Sequence, residues 1–234
     1  MKGLPLLILA CVVLAGCSRS AESPSRPADT PAAPASAAAP AAPEPKAPVQ
    51  LPAELLARLT RPDSPVLGPV RAPVTIVEFL DPACEACRGF APVVKQVQFL
   101  YPTEVRVVVR FAEFHDGSED AIRILLAAKR QGKFEKVLSA LFDGQDVWAA
   151  HHSPNVDAAW KIAAAAGLDL ARARKDAASP EFDARLREEA EDLMALKVLQ
   201  TPTFYVNGQL LTDFGAQPLM SLVAAEVKAS APAK

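Results

Sequence analysis

Cys84 and Cys87, three residues apart, are the side chains of this chain best suited to covalent chemistry. They lie in the run VTIVEFLDPACEACRGF from Val74 to Phe90. Sulfurs at positions i and i+3 of a helix share a face and can close or open a disulfide. A helix N-terminus carries unpaired N–H groups and a partial positive charge, which favour a thiolate on Cys84. Cys87 lies one turn deeper, so Cys84 is expected to be the exposed nucleophile and Cys87 the resolving thiol. A lone C-x-x-C has three readings: a redox couple, half of a metal site, or two incidental buried cysteines. The metal reading lacks a second C-x-x-C, and only His115, His151 and His152 could supplement it.

The elements that must hold this pair can be read on either side of it. Val74 to Leu80 is β-branched and apolar, as an interior strand requires, and Asp81-Pro82 breaks it. The cysteine helix runs to about Leu100, where Tyr101-Pro102 stops it, with Pro92 as a kink point. Val105 to Phe111 is a second buried strand. Strand, helix and strand at this spacing predict parallel pairing with a right-handed crossover. Residues 117–197 read as all helix, with starts at Ser118, Phe134, Ser153-Pro154, after Asp169 and at Ser179-Pro180, and stops at Gly132, Gly144, Gly167 and about Lys197. Trp148 and Trp160 read as core or rim packing. Residues 198–214 hold two short strands around the turn Asn207-Gly208, with Pro202 just before the first. A last helix spans 217–229.

The chain has 234 residues, 50% of them apolar, and a formal net charge of −2, so nothing points to nucleic acid. It has four cysteines; Cys11 and Cys17 fall in the N-terminal segment, which leaves one pair and excludes a disulfide-stapled fold. Residues 1–17 read as a signal peptide, too short for a comfortable membrane span. Leu14-Ala-Gly-Cys17 resembles the bacterial lipoprotein lipobox, which implies cleavage before Cys17 and lipidation of Cys17. Ser18 after that cysteine points to the outer membrane if the source is Gram-negative. Residues 18–50 are Ala, Pro and Ser with little else, an extended tether reaching up to roughly 100 Å. A short amphipathic helix at 51–61, with Leu51, Leu55 and Leu59 four apart, opens a domain covering 51–234.

C-x-x-C after a strand, a large helical insertion, and the run TPTFYVNG from Thr201 to Gly208 together resemble the DsbA family of bacterial thiol–disulfide oxidoreductases. The resemblance covers about residues 63–230. It implies an α/β thioredoxin fold with a helical insertion, about 117–197, between the second strand and a cis-proline strand. It implies a cis Thr201–Pro202 bond beside the disulfide and free backbone groups at Thr201 and Thr203 for a substrate peptide. It further implies that Glu78, six residues before Cys84, moves protons to and from Cys87; the alternative is a Glu paired with a neighbouring Lys or Arg. The expected activity is thiol–disulfide exchange on protein cysteines through mixed disulfides, with no bound cofactor and a membrane redox partner that recycles the pair. A monomer is expected, held at the periplasmic face of the envelope by its lipid anchor alone.

Two positions depart from the family pattern. Glu85-Ala86 stands between the cysteines, and Ala83 occupies a place that often holds an aromatic. A carboxylate beside Cys84 disfavours a thiolate, so a milder oxidant than DsbA is expected. His115 reads as a surface-loop histidine, with a thiolate-stabilising role as its alternative. Two other functions stay open. One is copper(I) handling by Cys84, Cys87 and His115; the other is peptide binding without redox turnover. The direction of electron flow is not set by these residues.

Overall fold

The computed structural model describes residues 51–150 and 153–231. The signal peptide, Cys17, the tether and His151-His152 lie outside the described residues.

A five-stranded mixed sheet carries the site. Its strands are β1 (Val66–Leu67), β2 (Val74–Leu80), β3 (Val105–Phe111), β4 (Thr203–Val206) and β5 (Gln209–Leu210), in spatial order β1-β3-β2-β4-β5. Central β2 pairs parallel with β3, from Val74↔Val105 to Leu80↔Phe111, and antiparallel with β4. It is buried along its whole length except at Thr75, which is why its sequence is a near-continuous apolar run rather than an alternating one. Side chains still alternate between the faces. Val74, Ile76 and Leu80 join Val105, Val107, Val109 and Phe111 in one core layer, whereas Val77, Phe79 and Val108 join a second. Glu78 therefore points into the first layer, the one that contains both cysteines.

The first layer is covered by α2 (Glu85–Leu100), α9 (Ala216–Ser230) and the insertion. The insertion comprises α3 (Ser118–Arg130), α4 (Phe134–Asp143), α5 (Gln145–Trp148), α6 (Val156–Ala165), α7 (Leu170–Ala177) and α8 (Pro180–Leu196). Trp148 is fully buried, its indole N–H donating to the Leu141 carbonyl at 2.7 Å, and the Arg174 guanidinium lies 4.6 Å from the Trp160 ring. Both tryptophans pack as expected. The second layer is covered by α1 (Ala53–Leu59) and α8. Here Arg110 of β3 is fully buried. It bonds Glu189 and Asp192 of α8 at 2.7 Å each and donates to the carbonyls of Arg58 and Leu59 at the end of α1. Arg58 and Arg61 also reach Asp192, and Arg185 reaches Glu189. The carboxylates are thus buried only with several guanidinium partners.

Three expectations about the elements need correction. A strand is present where none was expected: Val66 and Leu67 pair with Val108 and Val107 as an antiparallel edge strand. Helix α6 starts at Val156 rather than at Ser153-Pro154, because the Asn155 side chain accepts the Ala158 N–H at 3.0 Å and caps it. A one-turn helix, α5, fills what read as a gap after Gly144. The cysteine helix runs through Pro92 to Leu100 without a break.

Candidate active site

Cys84 is the N-cap of α2, in extended conformation (φ −76°, ψ 122°), and Cys87 lies in the first helical turn. The turn that brings them there is built on Asp81. The Asp81 carbonyl accepts the Cys84 N–H at 3.1 Å, and its carboxylate accepts the Ala83 N–H at 2.8 Å. Both cysteines are free thiols in this structure. Cys87 is wholly buried, and Cys84 is only 6% exposed. Cys84 is therefore the more accessible of the two but not the exposed nucleophile expected. Two distant segments cover it. The Thr201 carbonyl lies 3.4 Å from its sulfur, and the Gln145 amide of α5 donates to the carbonyls of Pro82 and Cys84 at 2.9 and 3.1 Å.

The electrostatics of the two thiols are opposed. A hydrogen bond from the Cys87 thiol, helped by Thr201 and by the backbone N–H groups of Cys87 and Ala86, outweighs burial and lowers the Cys84 pKa to about 5. The Thr201 hydroxyl is buried without a hydrogen-bond partner, so a Cys84 thiolate offers it an acceptor. Burial pushes the Cys87 thiol well above the ordinary thiol value, and the neighbouring Cys84 and Glu78 charges push it further. One sulfur is poised as an anion and the other is held protonated.

The Thr201–Pro202 bond is cis, Pro202 is buried, and Thr203 opens β4 opposite Phe79 of β2. The Thr203 hydroxyl is turned back onto the Gln200 carbonyl at 2.8 Å. Glu78 is 5% exposed, and burial alone raises its pKa to about 8. The alternative of a Glu paired with Lys or Arg does not describe it: no ion pair is formed by Glu78 among the described residues. Its carboxyl lines a cavity of about 280 Å³ between the sheet, α2 and α4, shared with Arg88, Lys95 and Glu135. Among the described residues no three His, Cys, Asp or Glu side chains converge as a metal-binding group.

Asp81 is the functional residue that sequence reasoning treated only as a strand breaker. It is fully buried and accepts from the N–H groups of Phe114 and His115 at 2.8 and 3.1 Å, from His115 Nδ1 at 2.8 Å and from the Ser118 hydroxyl at 2.5 Å. His115 is accordingly tied to the site and is not a plain surface-loop histidine. Burial disfavours its cation, but the Asp81 carboxylate overcomes this and raises its pKa, with further contributions from Cys84 and Glu85. One signal was available. Parallel strands β2 and β3 end together at Leu80↔Phe111, so the segments after them must meet at one sheet edge. Gln145 carried no such signal.

The family model described as Thioredoxin matches residues 60–220, so the chain belongs to the thioredoxin family. The fold is shared with several solved structures. A thioredoxin-like oxidoreductase from Silicibacter pomeroyi DSS-3 is 29% identical, covering 75% of this chain and 98% of that one with a TM-score of 0.63. Wolbachia pipientis alpha-DsbA1 is 15% identical, covering 75% and 96% with a TM-score of 0.66. Bacillus subtilis BdbD is 21% identical, covering 71% and 94% with a TM-score of 0.64. Among curated relatives, the Na(+)/H(+) antiporter NhaA 1 of Mycolicibacterium vanbaalenii is 32% identical over 164 residues, 64% of this chain. This chain spans 25% of the length of that relative.

Proposed function

We propose that this protein is a thiol–disulfide oxidoreductase of the bacterial envelope, working on protein cysteines through Cys84 and Cys87. The observation that carries this reading is the opposed state of the two sulfurs: Cys84 lowered to about 5 at a helix N-cap, Cys87 raised and buried behind it. The Cys84 thiolate attacks one sulfur of a client disulfide, forming a mixed disulfide and expelling the other client sulfur as a thiolate. Cys87 gives its proton to the Glu78 carboxylate and attacks the Cys84 sulfur. The client leaves with both sulfurs reduced, and Cys84–Cys87 becomes the disulfide. Run backwards, the same steps oxidise a client. Pro202, with Thr201 and Thr203 beside it, lines the approach of the client backbone. A membrane redox partner returns the pair to its working state and sets the direction.

The lipobox at Leu14–Cys17 and the Ala/Pro-rich stretch after it support a lipid-anchored domain at the periplasmic face of the envelope. Cys84→Ser should abolish turnover in insulin reduction or peptide oxidation, and Cys87→Ser should accumulate mixed disulfides. Full activity in Cys84→Ser would overturn the mechanism. Thiol trapping in the cell reads direction: mainly disulfide means an oxidant, mainly dithiol a reductase or isomerase.

A further inference from the structure

We propose that Asp81 and His115 form a carboxylate–imidazolium couple that places a cation beside the Cys84 thiolate, delivered by the β3–α3 loop. This rests on the redox role proposed for Cys84.

The geometry begins with an electrostatic problem. Asp81 is fully buried, and a buried carboxylate is costly unless it is hydrogen-bonded and neutralised. Its bonds from Ala83, Phe114, His115 and Ser118 satisfy its lone pairs with neutral donors. His115 Nδ1 is the one cationic group hydrogen-bonded to it among the described residues. The carboxylate accepts, so Nδ1 donates, which fixes the tautomer and orients the ring. The imidazole is 34% exposed, so Nε2 can exchange protons with solvent or with an incoming client. On the other side of Asp81, the same residue holds Cys84 through its carbonyl. One residue thus fixes the imidazole, through its carboxylate, and the Cys84 backbone, through its carbonyl, relative to each other. The charged groups facing the ring are Asp81 in the β2–α2 turn, and Cys84 and Glu85 at the start of α2, with Asp116 next to it in the chain. Asp81, Cys84 and Glu85 are negative when ionised, so each favours the imidazolium. No histidine stands between the two cysteines; the couple supplies from a separate loop the positive charge that Glu85 works against.

A loop staple would satisfy the same hydrogen bonds, but it would not sense the oxidation state of Cys84. Coupling between two titrating groups is reciprocal. The His115 ring resonances of the wild-type domain should therefore be titrated by NMR in the oxidised and reduced states. His115→Gln serves to assign them against His151 and His152. The His115 pKa should rise on reduction by about 0.5 unit or more, roughly threefold in proton affinity, because the thiolate appears beside it. The Cys84 thiolate absorbance in His115→Gln should titrate higher than in wild type by a similar factor. Identical His115 titrations in the two states would overturn the proposal. The redox reading itself fails separately, by retained turnover in Cys84→Ser, which leaves these titrations measurable.

Discussion

The sulfur of Cys84 lies 3.4 Å from the carbonyl oxygen of Thr201, a residue 117 positions further along the chain. That contact joins the C-x-x-C turn to the proline loop and encloses the Cys84 sulfur on one side. The Thr201 hydroxyl beside it is buried without a hydrogen-bond partner.

The first prediction concerns this contact. Alkylation of the dithiol form by iodoacetamide should modify Cys84 with a pH midpoint near 5, while Cys87 stays inert. Thr201→Val removes the hydroxyl and should raise the midpoint by less than about one unit. A wild-type midpoint near the free-cysteine value would show that the thiolate is not stabilised. The Cys84 value falls between those of thioredoxin, about 7, and DsbA, about 3.5. Equilibration with glutathione should give a reduction potential between about −270 and −120 mV.

Glu78 supplies a prediction with a definite sign. Its folded pKa, about 8, is raised above the ordinary carboxylate value. The folded state therefore binds the proton more tightly than the unfolded chain. The stability Glu78 contributes is present below the unfolded value and is lost as pH rises from about 4.5 to about 8. Glu78→Gln stays neutral and should gain on wild type in urea denaturation at pH 9 relative to pH 4, by on the order of a few kcal/mol. The same variant should slow resolution of the mixed disulfide by Cys87. Equal resolution rates in the two proteins would remove Glu78 from the proton path.

The buried network of the second layer sets the acid limit. Burial opposes ionisation of Asp192, but hydrogen bonds from Arg61, Arg110 and Arg58 prevail and lower its pKa to about 2. A depressed folded pKa means stability that is present above the unfolded value and lost as pH falls from about 3.8 to about 2. Asp192→Ala leaves the guanidinium of Arg110 buried with one carboxylate fewer and should cost on the order of 3–5 kcal/mol at pH 7. The penalty should shrink towards pH 2. A penalty that does not change with pH would contradict this account.

Gln145 tests whether the insertion holds the C-x-x-C turn. Its amide bridges the carbonyls of Pro82 and Cys84 from a helix more than sixty residues away in sequence. Gln145→Ala should cost about 1–3 kcal/mol, because buried acceptors lose their donor. Hydrogen exchange of the Ala83–Ala86 amides should quicken. Unchanged exchange there would show that the turn is held by Asp81 alone.

Legibility followed the range of the forces involved. The seven-residue run Val74–Leu80 was readable because a strand buried on both faces has to be apolar throughout. Leu100 was readable as a helix end because Tyr101-Pro102 cannot continue one, and Asn207-Gly208 was readable as a turn because its backbone takes positive φ at both residues. β1 was not readable: two residues have no period, and their pairing depends on where β3 lies. The start of α6 was missed because Ser153 and Asn155 are both acceptable caps, and it is the Asn155 side chain that accepts the Ala158 N–H.

By itself, the sequence determined the cysteine spacing, the helix that carries it, the strands on either side and the proline ahead of the last hairpin. These follow from local propensity and periodicity, which act over a few residues. Only the tertiary structure decided that Cys84 is covered, that Glu78 stands without an ion pair in an apolar layer, and that Asp81 gathers His115 and Ser118 around the C-x-x-C turn. Such features depend on which distant groups share one small volume. Burial and charge at a site are set there by the sum of its neighbours, which no single stretch of the chain contains.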